Sequence, residues 1–533
     1  MTAPVPDLAG AATAIERAEH VVERAARHLA GHGGVDANQV VAYDLAHAAA
    51  AVETGRALLD YGAKGDVEAA IACAFVADAV ADLVARVWGR EADWGLASDP
   101  LEICHPFVVA HRDPAFLASL ADLVADGGPR HLDEDFELVR DTFRRFADDR
   151  IAPVAEHVHR ANADIPEEVI SGLAELGGFG LSVPEEYGGF ASGGESDYLA
   201  MVVATEELAR ASLGAGGSLI TRPEILTRAL VKGGTEEQKR HWLPKLASAE
   251  VMAAVAVTEP DFGSDVANLK VTATPVDGGW AVNGVKTWCT FGARADVLML
   301  LARTDPDRGK GHRGLSLFVV PKPRGDAGGF LFTQDGGGRM EGRPIDTIGY
   351  RGMHSYEIAF DGWVVPGDCL VGGEAGLGRG FYSQMEGFEN GRLQTAARAV
   401  GVMQAAFEAA RSYAADRVVF GAPIASYQLT RAKLARMAVV TQAARQFAYV
   451  VARMMAKGQG ALEASMVKAY VCRAAEWVTR EAMQVHGGFG YAEEYPVSRY
   501  FVDARVLSIF EGADETLCLK VIARRLLERV PAG

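Results

Sequence analysis

Apolar residues recur at helical spacing through the N-terminal part of the chain. In residues 1–126, positions such as Ile15, Ala18 and Val22 share one helical face, and Gly31 follows as a helix stop signal. No chemical motif interrupts this alanine-rich stretch, in which few polar groups converge as a binding site requires. The pattern predicts an N-terminal helical extension that serves packing or oligomerisation.

The rest of the chain changes from helical to strand-like spacing and back. Residues 133–250 show helical spacing, whereas residues 251–372 contain short alternating runs such as WAVNGVKTW, flanked by Asp-Gly and Asn-Gly turn pairs. Residues 373–533 are helical again. The sequence therefore predicts an α+β multidomain protein, in which a helical extension precedes a helical domain, a β domain and a C-terminal helical domain.

Composition and charge exclude several classes of protein. The 533 residues include 49% hydrophobic and 23% charged residues, which is ordinary for a globular protein. A net charge of −17 disfavours nucleic acid and anionic membranes as partners. Six scattered cysteines without a CxxC pair indicate reduced thiols and no metal site. With no visible secretory signal and no apolar run long enough to span a membrane, we expect a cytoplasmic protein.

Two stretches of the predicted β domain carry candidate binding chemistry. In VAVTEPDFGSD a strand is expected to end at Thr258, and the turn at Gly263 and Ser264 offers backbone amides and a hydroxyl to phosphate oxygens. In KTWCT, strand alternation places Trp288 and Thr290 on one side, which suits a planar ring system. The alternatives are an ordinary turn and an ordinary cross-strand packing pair.

A glutamate near the C-terminus stands in an unusual sequence context. Glu511 lies between an apolar run that includes Ile509 and Phe510, and Gly512. Taken alone, a Glu-Gly pair before a helix is typical of a solvated loop, because glutamate is rarely buried unless paired. The surrounding motifs decide between this interpretation and a functional one.

Several motifs together resemble those of the acyl-CoA dehydrogenase family. VAVTEPDFGSD, NGVKTWCT, DRVVFGAPIASYQ, MQVHGGFGYAEEYP and FEGADETL occur in the order and spacing of that family, over about residues 133–533. The resemblance implies a helical domain, a central β domain and a C-terminal four-helix domain, to which the extension is an unusual addition. It also implies an FAD-dependent α,β-dehydrogenation of an acyl-CoA, with an electron-transfer flavoprotein as the electron acceptor.

The resemblance assigns the catalytic base to Glu511. A carboxylate in an apolar setting is a stronger base than one in water, and Ile509 and Phe510 are expected to supply that setting. Gly512 allows the backbone to pass close to the substrate. Glu511 would remove the proton α to the thioester while hydride leaves the β carbon for the flavin. The substrate contacts implied by motif position are Ser264, Glu389, Arg392 and Gly512.

The resemblance also assigns the flavin contacts. Ala513 departs from the threonine common at its position, which leaves a backbone contact there. The positions implied for the flavin of the same subunit are Val257, Thr258, Ser264, Trp288, Thr290, Ala513 and Glu515. The positions implied for the adenosine end of a neighbouring subunit's FAD are Arg417, Phe420, Gln428, Gln484, Gly487 and Gly488. We therefore expect a homo-oligomer, and favour a dimer over a tetramer because we expect the extension to cover a surface that smaller relatives use to pair dimers.

An arginine in GGSLITRPEIL bears on the substrate. The resemblance implies that this stretch falls in the helical segment that lines the far end of the family's acyl pocket, where Pro223 could turn Arg222 inward. Because an arginine can pair with a free carboxylate, the expected substrate is a short branched dicarboxylic thioester. The overall resemblance implies (2S)-methylsuccinyl-CoA as that thioester, oxidised to mesaconyl-CoA. The alternatives are a surface position for Arg222 with a short branched monocarboxylic substrate, a flavin monooxygenase or oxidase, and a non-catalytic scaffold.

Overall fold

The N-terminal extension is helical, as its pattern predicts. A computed structural model describes residues 5–97 and 100–530. The first helix ends at Gly31, the predicted stop. The α-helices of the extension are α1 (Leu8–Gly31), α2 (Gly34–Ala37), α3 (Gln39–Gly62), α4 (Asp66–Val87), α5 (His105–His111) and α6 (Pro114–Leu123).

Helices and then strands follow along the chain. The next helices are α7 (Glu134–Phe146), α8 (Ala152–Arg160), α9 (Glu167–Glu175), α10 (Ser196–Ala211), α11 (Thr221–Gly233) and α12 (Glu236–Ala247). The strands after them are β1 (Ala253–Ala256), β2 (Thr272–Val276), β3 (Gly279–Thr290), β4 (Val297–Arg303), β5 (Leu315–Pro321), β6 (Phe330–Thr333), β7 (Arg339–Ile345) and β8 (Ser355–Pro366). The first strand was expected to end at Thr258, but it ends two residues earlier, at Ala256.

The C-terminal part is helical apart from one short hairpin. Its elements are α13 (Gly380–Asp416), β9 (Val418–Val419), β10 (Ala422–Pro423), α14 (Gln428–Ala456), α15 (Ala461–His486), α16 (Val497–Leu507), α17 (Asp514–Thr516) and α18 (Ala523–Arg529). Across the described ranges, no helix combines the length and the apolarity that a bilayer crossing requires.

The chain forms two compact units. The helical unit comprises residues 1–137 and 395–533, and the sheet unit comprises residues 138–394. Within the helical unit the extension packs directly on the C-terminal helices: the rings of Phe75 and Tyr470 lie 5.9 Å apart. Asp78 also accepts a hydrogen bond of 3.0 Å from Arg436 on α14. The extension therefore shares a core with the C-terminal helices.

The sheet unit is built on one mixed sheet of eight strands. Its order is β1-β4-β2-β3-β8-β7-β6, with β5 paired to β4. Strands β1 and β4 run parallel, and the long strands β3 and β8 run antiparallel. Buried side chains of the sheet such as Met299 and Leu317 pack with Leu226 and Leu230 of α11. The apolar alternation that predicted a β domain thus reflects a sheet with one face on helices.

A buried lysine fixes the turn that follows β1. The ammonium group of Lys286 on β3 is 0% exposed; it donates to the carbonyl of Val257 and pairs with Glu259, each at 2.8 Å. Glu259 also accepts the backbone amides of Lys270 and Val271, at 2.7 and 2.9 Å. Burial lowers the pKa of Lys286 to about 8, against the opposing attraction of Glu259. The hydrogen bonds of Lys286 and Glu259 thus offset the desolvation cost of burying both charges.

We expect Lys286→Met to destabilise the sheet unit. The change leaves the buried Glu259 carboxylate without its cation, and removing one partner of a buried pair costs about 3 kcal/mol at the lower end of the measured range. The lower end applies because two backbone amides still reach Glu259. Urea-induced unfolding measures the loss.

The control for this change is Lys270→Met in the same turn. Lys270 pairs with Asp261 at the surface, where side-chain exposures are 47% and 71%, so its removal should leave the unfolding free energy almost unchanged. A loss for Lys286→Met no larger than that for Lys270→Met would contradict the assignment.

Candidate active site

A bulge in β3 turns Trp288 away from its neighbours. The pairing of β3 with β8 shifts between Lys286 and Cys289, and Trp288 has a left-handed φ of 57°. Its indole is 55% exposed, whereas Thr290 is 6% exposed with its hydroxyl 3.2 Å from that of Ser355. The bulge inserts a residue between Lys286 and Cys289 and interrupts the simple alternation on which the prediction was based. A shared face for Trp288 and Thr290 stays a prediction.

The surroundings of Trp288 suit a planar cofactor. The backbone amide of Thr287 donates to the carbonyl of Thr258 at 2.8 Å, which joins this strand to the segment after β1. Val257 is buried and Thr258 is partly exposed, while Ser264 lies in an exposed bend. An exposed indole beside a fixed backbone segment suits an aromatic ring system, and the bend at Ser264 further along that segment offers a hydroxyl of the kind that binds phosphate oxygens.

Arg222 is buried in the first turn of α11. Its exposed fraction is 6%, so the alternative of a surface arginine beside a helix break is wrong. Its Nη2 atom lies 3.5 Å from the hydroxyl of Tyr350, which is also buried at 6% and has a left-handed φ of 58°. A guanidinium and a phenol hydroxyl are thus held together inside the sheet unit. Both can donate hydrogen bonds to a carboxylate.

Sequence reasoning missed the buried acid two residues further along α11. Glu224 is 4% exposed and accepts a hydrogen bond of 2.8 Å from Ser182, and Arg228 contacts it at 3.3 Å. The side-chain amides of Asn390 and Gln394 on α13 also donate to it. Burial raises the pKa of Glu224, although Arg228 and these donors oppose the shift. The signal available in the sequence was the charged residue Glu224, directly after Arg222 and Pro223.

The contacts of Glu224 fix the turn of α13 that carries the implied substrate residues. Asn390 directly follows Glu389, and Gln394 lies two residues beyond Arg392. Glu389 is partly buried, and Arg392 is 9% exposed. The structure thus places both residues within a segment anchored to α11.

Glu511 lies in a strained turn between α16 and α17. It has a left-handed φ of 53°, and Gly512 follows with a φ of 99°. A Cβ added at Gly512 would lie 2.9 Å from the side chain of Leu517, so this position needs glycine for space as well as for backbone conformation. A left-handed non-glycine residue costs about 1–3 kcal/mol and persists only where its surroundings hold it. Such strain marks Glu511 as a functional candidate.

The apolar setting expected around Glu511 is only partly present in the chain. Glu511 is partly buried, but Ile509 is 53% exposed and therefore gives little cover. The ring of Phe510 lies 4.7 Å from the guanidinium of Arg398, which is fully buried. Ile509 thus offers less apolar cover than expected, and its contact with the Glu511 carboxylate stays a prediction.

Further along the same segment, Ala513 is partly buried and caps α17, and Glu515 is exposed. Between Glu511 and Ala513, the carbonyl of Gly512 accepts a hydrogen bond of 2.5 Å from the buried Lys468 of α15. The turn is therefore bonded to a neighbouring helix directly beside the glutamate.

The residues implied for a neighbouring subunit's cofactor lie at exposed positions of the helical unit. The rings of Tyr413 and His486 stack at 4.3 Å, which brings the ends of α13 and α15 together. The hydroxyl of Tyr427 donates to Val419 at 2.7 Å, which joins the hairpin to the start of α14. Phe420 is 100% exposed in the single chain. We give the name cofactor-facing patch to the exposed positions that the resemblance implies for this cofactor, which are Arg417, Phe420, Gln428, Gln484, Gly487 and Gly488.

Three family models match the chain in order. The N-terminal domain of acyl-CoA dehydrogenases matches residues 133–250, the middle domain residues 254–363 and the C-terminal domain residues 378–527. The matches cover the chain from just after the extension to its last helix. They confirm the multidomain fold that the sequence predicted, with the extension as an addition to it.

Comparison with known proteins gives the same family. The chain is 44% identical to (2S)-methylsuccinyl-CoA dehydrogenase of Cereibacter sphaeroides over 80% of this chain and 78% of that one. A glutaryl-coenzyme A dehydrogenase in complex with glutaryl-CoA covers 76% of this chain and 98% of its own, at 32% identity and a TM-score of 0.68. A chain from work on the electron transferring flavoprotein of Acidaminococcus fermentans covers 76% of this chain and 100% of its own, at 30% identity and a TM-score of 0.67. The chain belongs to the acyl-CoA dehydrogenase family.

Proposed function

We propose that this protein is an FAD-dependent dehydrogenase of (2S)-methylsuccinyl-CoA, which it oxidises to mesaconyl-CoA. The observation that carries the proposal is the strained turn at Glu511, a carboxylate at the position of the family's base, bonded in place through Gly512. The similarity to the Cereibacter sphaeroides enzyme supports the choice of acyl chain.

Glu511 is the proposed acceptor of the α proton. Its carboxylate takes the proton from the carbon next to the thioester carbonyl, and the electron pair of that bond forms the new double bond as hydride leaves the β carbon. Bound FAD would accept that hydride. Gly512 has no side chain to obstruct the thioester, and the amide of Glu511 can donate to the thioester oxygen as negative charge develops there.

The flavin would be held by residues of the sheet unit. Trp288 offers its exposed indole to the ring system, and Ser264 offers a hydroxyl to the pyrophosphate or thioester. Thr290 keeps one hydrogen-bonding capacity beyond its contact with Ser355, because a hydroxyl can both donate and accept. The backbone carbonyl of Val257 is held by Lys286, and that of Thr258 by the amide of Thr287.

The proposed assembly is a cytoplasmic homodimer that passes electrons to an electron-transfer flavoprotein. The cofactor-facing patch is exposed in the single chain, as a site completed by a second copy requires. The extension packs on α14 and therefore leaves less surface of the helical unit available for contacts with further subunits. Likeness to the chain from the Acidaminococcus fermentans work supports the choice of electron acceptor.

Arg222 and Tyr350 are the proposed recognition elements for the distal carboxylate of the substrate. A dicarboxylic acyl chain brings a carboxylate that could pair bidentately with the guanidinium of Arg222. The buried hydroxyl of Tyr350 can add a further donor. The structural likeness to a complex with glutaryl-CoA, another dicarboxylic thioester, supports this class of substrate. Glu389 and Arg392 would contact the coenzyme A part.

Glu511→Gln should abolish turnover while FAD and the acyl-CoA still bind. The amide keeps the shape of the side chain but cannot take the α proton, and loss of general-base catalysis costs about 10²–10⁴-fold in rate. Anaerobic stopped-flow absorbance of the flavin measures reduction separately from substrate binding. If the variant kept more than about a tenth of the wild-type reduction rate, Glu511 would not be the base.

Arg222→Met should penalise the dicarboxylic substrate selectively. Loss of a charged hydrogen-bonding partner is expected to lower kcat/KM for methylsuccinyl-CoA by about 2–3 kcal/mol, or roughly 30- to 150-fold. Turnover of uncharged 2-methylbutyryl-CoA should be unchanged or better, since no carboxylate is left unpaired.

Arg222→Lys serves as the matched variant, because it keeps the charge but loses the bidentate geometry. It should fall between the wild type and Arg222→Met on methylsuccinyl-CoA. Equal losses on both substrates would show that Arg222 supports the fold. The substrate would then be an unspecified short branched acyl-CoA.

A further inference from the structure

The turn that carries Glu511 is bonded to the N-terminal extension. Asp514, three residues after Glu511, is 7% exposed and opens α17. The hydroxyl of Tyr43 donates to its carboxylate at 2.5 Å, and Nε2 of His47 lies 3.2 Å from the same oxygen. Tyr43 and His47 lie one helical turn apart on α3, so one face of the extension reaches this carboxylate.

Contacts with the C-terminal helices also hold the segment that contains Glu511 and Asp514. The carbonyl of Gly512 accepts a hydrogen bond from Lys468, and the amide of Asp514 donates to Ser508 at 3.1 Å. The thiol of Cys518 lies 3.4 Å from Nε2 of His47. Between these anchors the chain has little freedom to leave its left-handed conformation.

The charge state of the cluster agrees with a hydrogen-bonded clamp. Burial alone would raise the pKa of Asp514, but the contacts from His47 and Tyr43 outweigh it and leave the pKa below its usual value. Asp514 is thus an ionised acceptor, for which hydrogen bonds are stronger than for a neutral one.

The same three residue types could also hold a metal, since the ligand atoms of His47, Asp514 and Cys518 lie within 4.8 Å of one another. In the structure, Tyr43 and His47 both lie within hydrogen-bonding distance of one carboxylate oxygen of Asp514, which is the geometry of a hydrogen-bonded clamp.

We propose that Tyr43 and His47 of the extension are positioning residues for the proposed base. By holding Asp514 they keep Glu511 and Gly512 in the left-handed turn, without touching the substrate themselves. The inference rests on the proposed function, because it takes Glu511 as the group that receives the proton. It gives the extension a role in catalysis beyond the packing or oligomerisation that its sequence predicted.

The size of the effect follows from how sensitive proton transfer is to geometry. A displacement of about 1 Å in a reacting group can cost about 10²-fold in rate. The turn at Glu511 stores strain, so removing one of its anchors gives it a route to relax. The binding surface for coenzyme A need not change. The clamp should therefore act on the rate of flavin reduction and leave substrate affinity alone.

The test compares full-length, FAD-loaded Tyr43→Phe, His47→Gln and the double variant with a matched control, Tyr61→Phe. Tyr61 also lies on α3 and is 1% exposed, but its hydroxyl donates to the carbonyl of Pro129 at 3.0 Å. Its removal thus deletes one buried hydrogen bond of the extension without touching Asp514. The readouts are single-turnover flavin reduction, acyl-CoA affinity and amide hydrogen exchange in residues 508–516.

The double variant should reduce flavin about 10- to 100-fold more slowly, with unchanged substrate affinity and faster amide exchange in residues 508–516. Each single variant should show a smaller effect, and Tyr61→Phe should match the wild type in all three readouts. If the double variant and Tyr61→Phe both reduced flavin at the wild-type rate, the inference would be overturned. Equal losses of rate in the two variants would also overturn it, since they would indicate general destabilisation.

Failure of the proposed function gives a different result. In that case the wild type would reduce no flavin with any acyl-CoA, and amide exchange would still decide whether the extension holds the turn. Unchanged exchange in the double variant would overturn the positioning role whatever the activity.

Discussion

The structure depends most on holding a left-handed backbone at a glutamate. Glu511 and Gly512 take this conformation in succession, and a residue with a side chain pays about 1–3 kcal/mol to do so. The helical unit surrounds the turn with a buried lysine and an anchored aspartate, which outweigh that cost. A carboxylate fixed in this way can meet a substrate without first reorganising, which is the general basis of catalysis by positioned groups.

The sheet unit uses the same device at a second place. Trp288 also has a left-handed backbone, and the lysine two residues before it, Lys286, is fully buried and donates to the carbonyl of Val257. In both units a buried ammonium group bonds a backbone carbonyl beside a strained residue with a proposed role in the reaction. A lysine suits this task because its charge strengthens the hydrogen bond and its long stem is apolar. The chain as a whole is a flavin-dependent oxidoreductase of the acyl-CoA dehydrogenase family.

The sequence was informative where local pattern decides the structure. Helical spacing located the extension, paired turn signals located the β domain, and the motif around Glu511 singled out the proposed base. Strand alternation did not anticipate the bulge beside Trp288, since a period of two cannot include an inserted residue. Other failures involve partners far apart in sequence: Asn390 is 166 residues from Glu224, and Tyr43 is 471 residues from Asp514. No local pattern contains such pairs. The positions implied for FAD and for the second subunit stay predictions.

The central claim is that this chain oxidises a dicarboxylic acyl-CoA and thereby reduces its own bound flavin. It is tested most directly by mixing the purified yellow protein with (2S)-methylsuccinyl-CoA without oxygen and recording the flavin absorbance while the thioester product is identified by mass spectrometry. The account predicts rapid bleaching of the flavin with formation of one equivalent of mesaconyl-CoA. A flavin that stays oxidised with methylsuccinyl-CoA, or a protein purified colourless and unable to take up FAD, would contradict it.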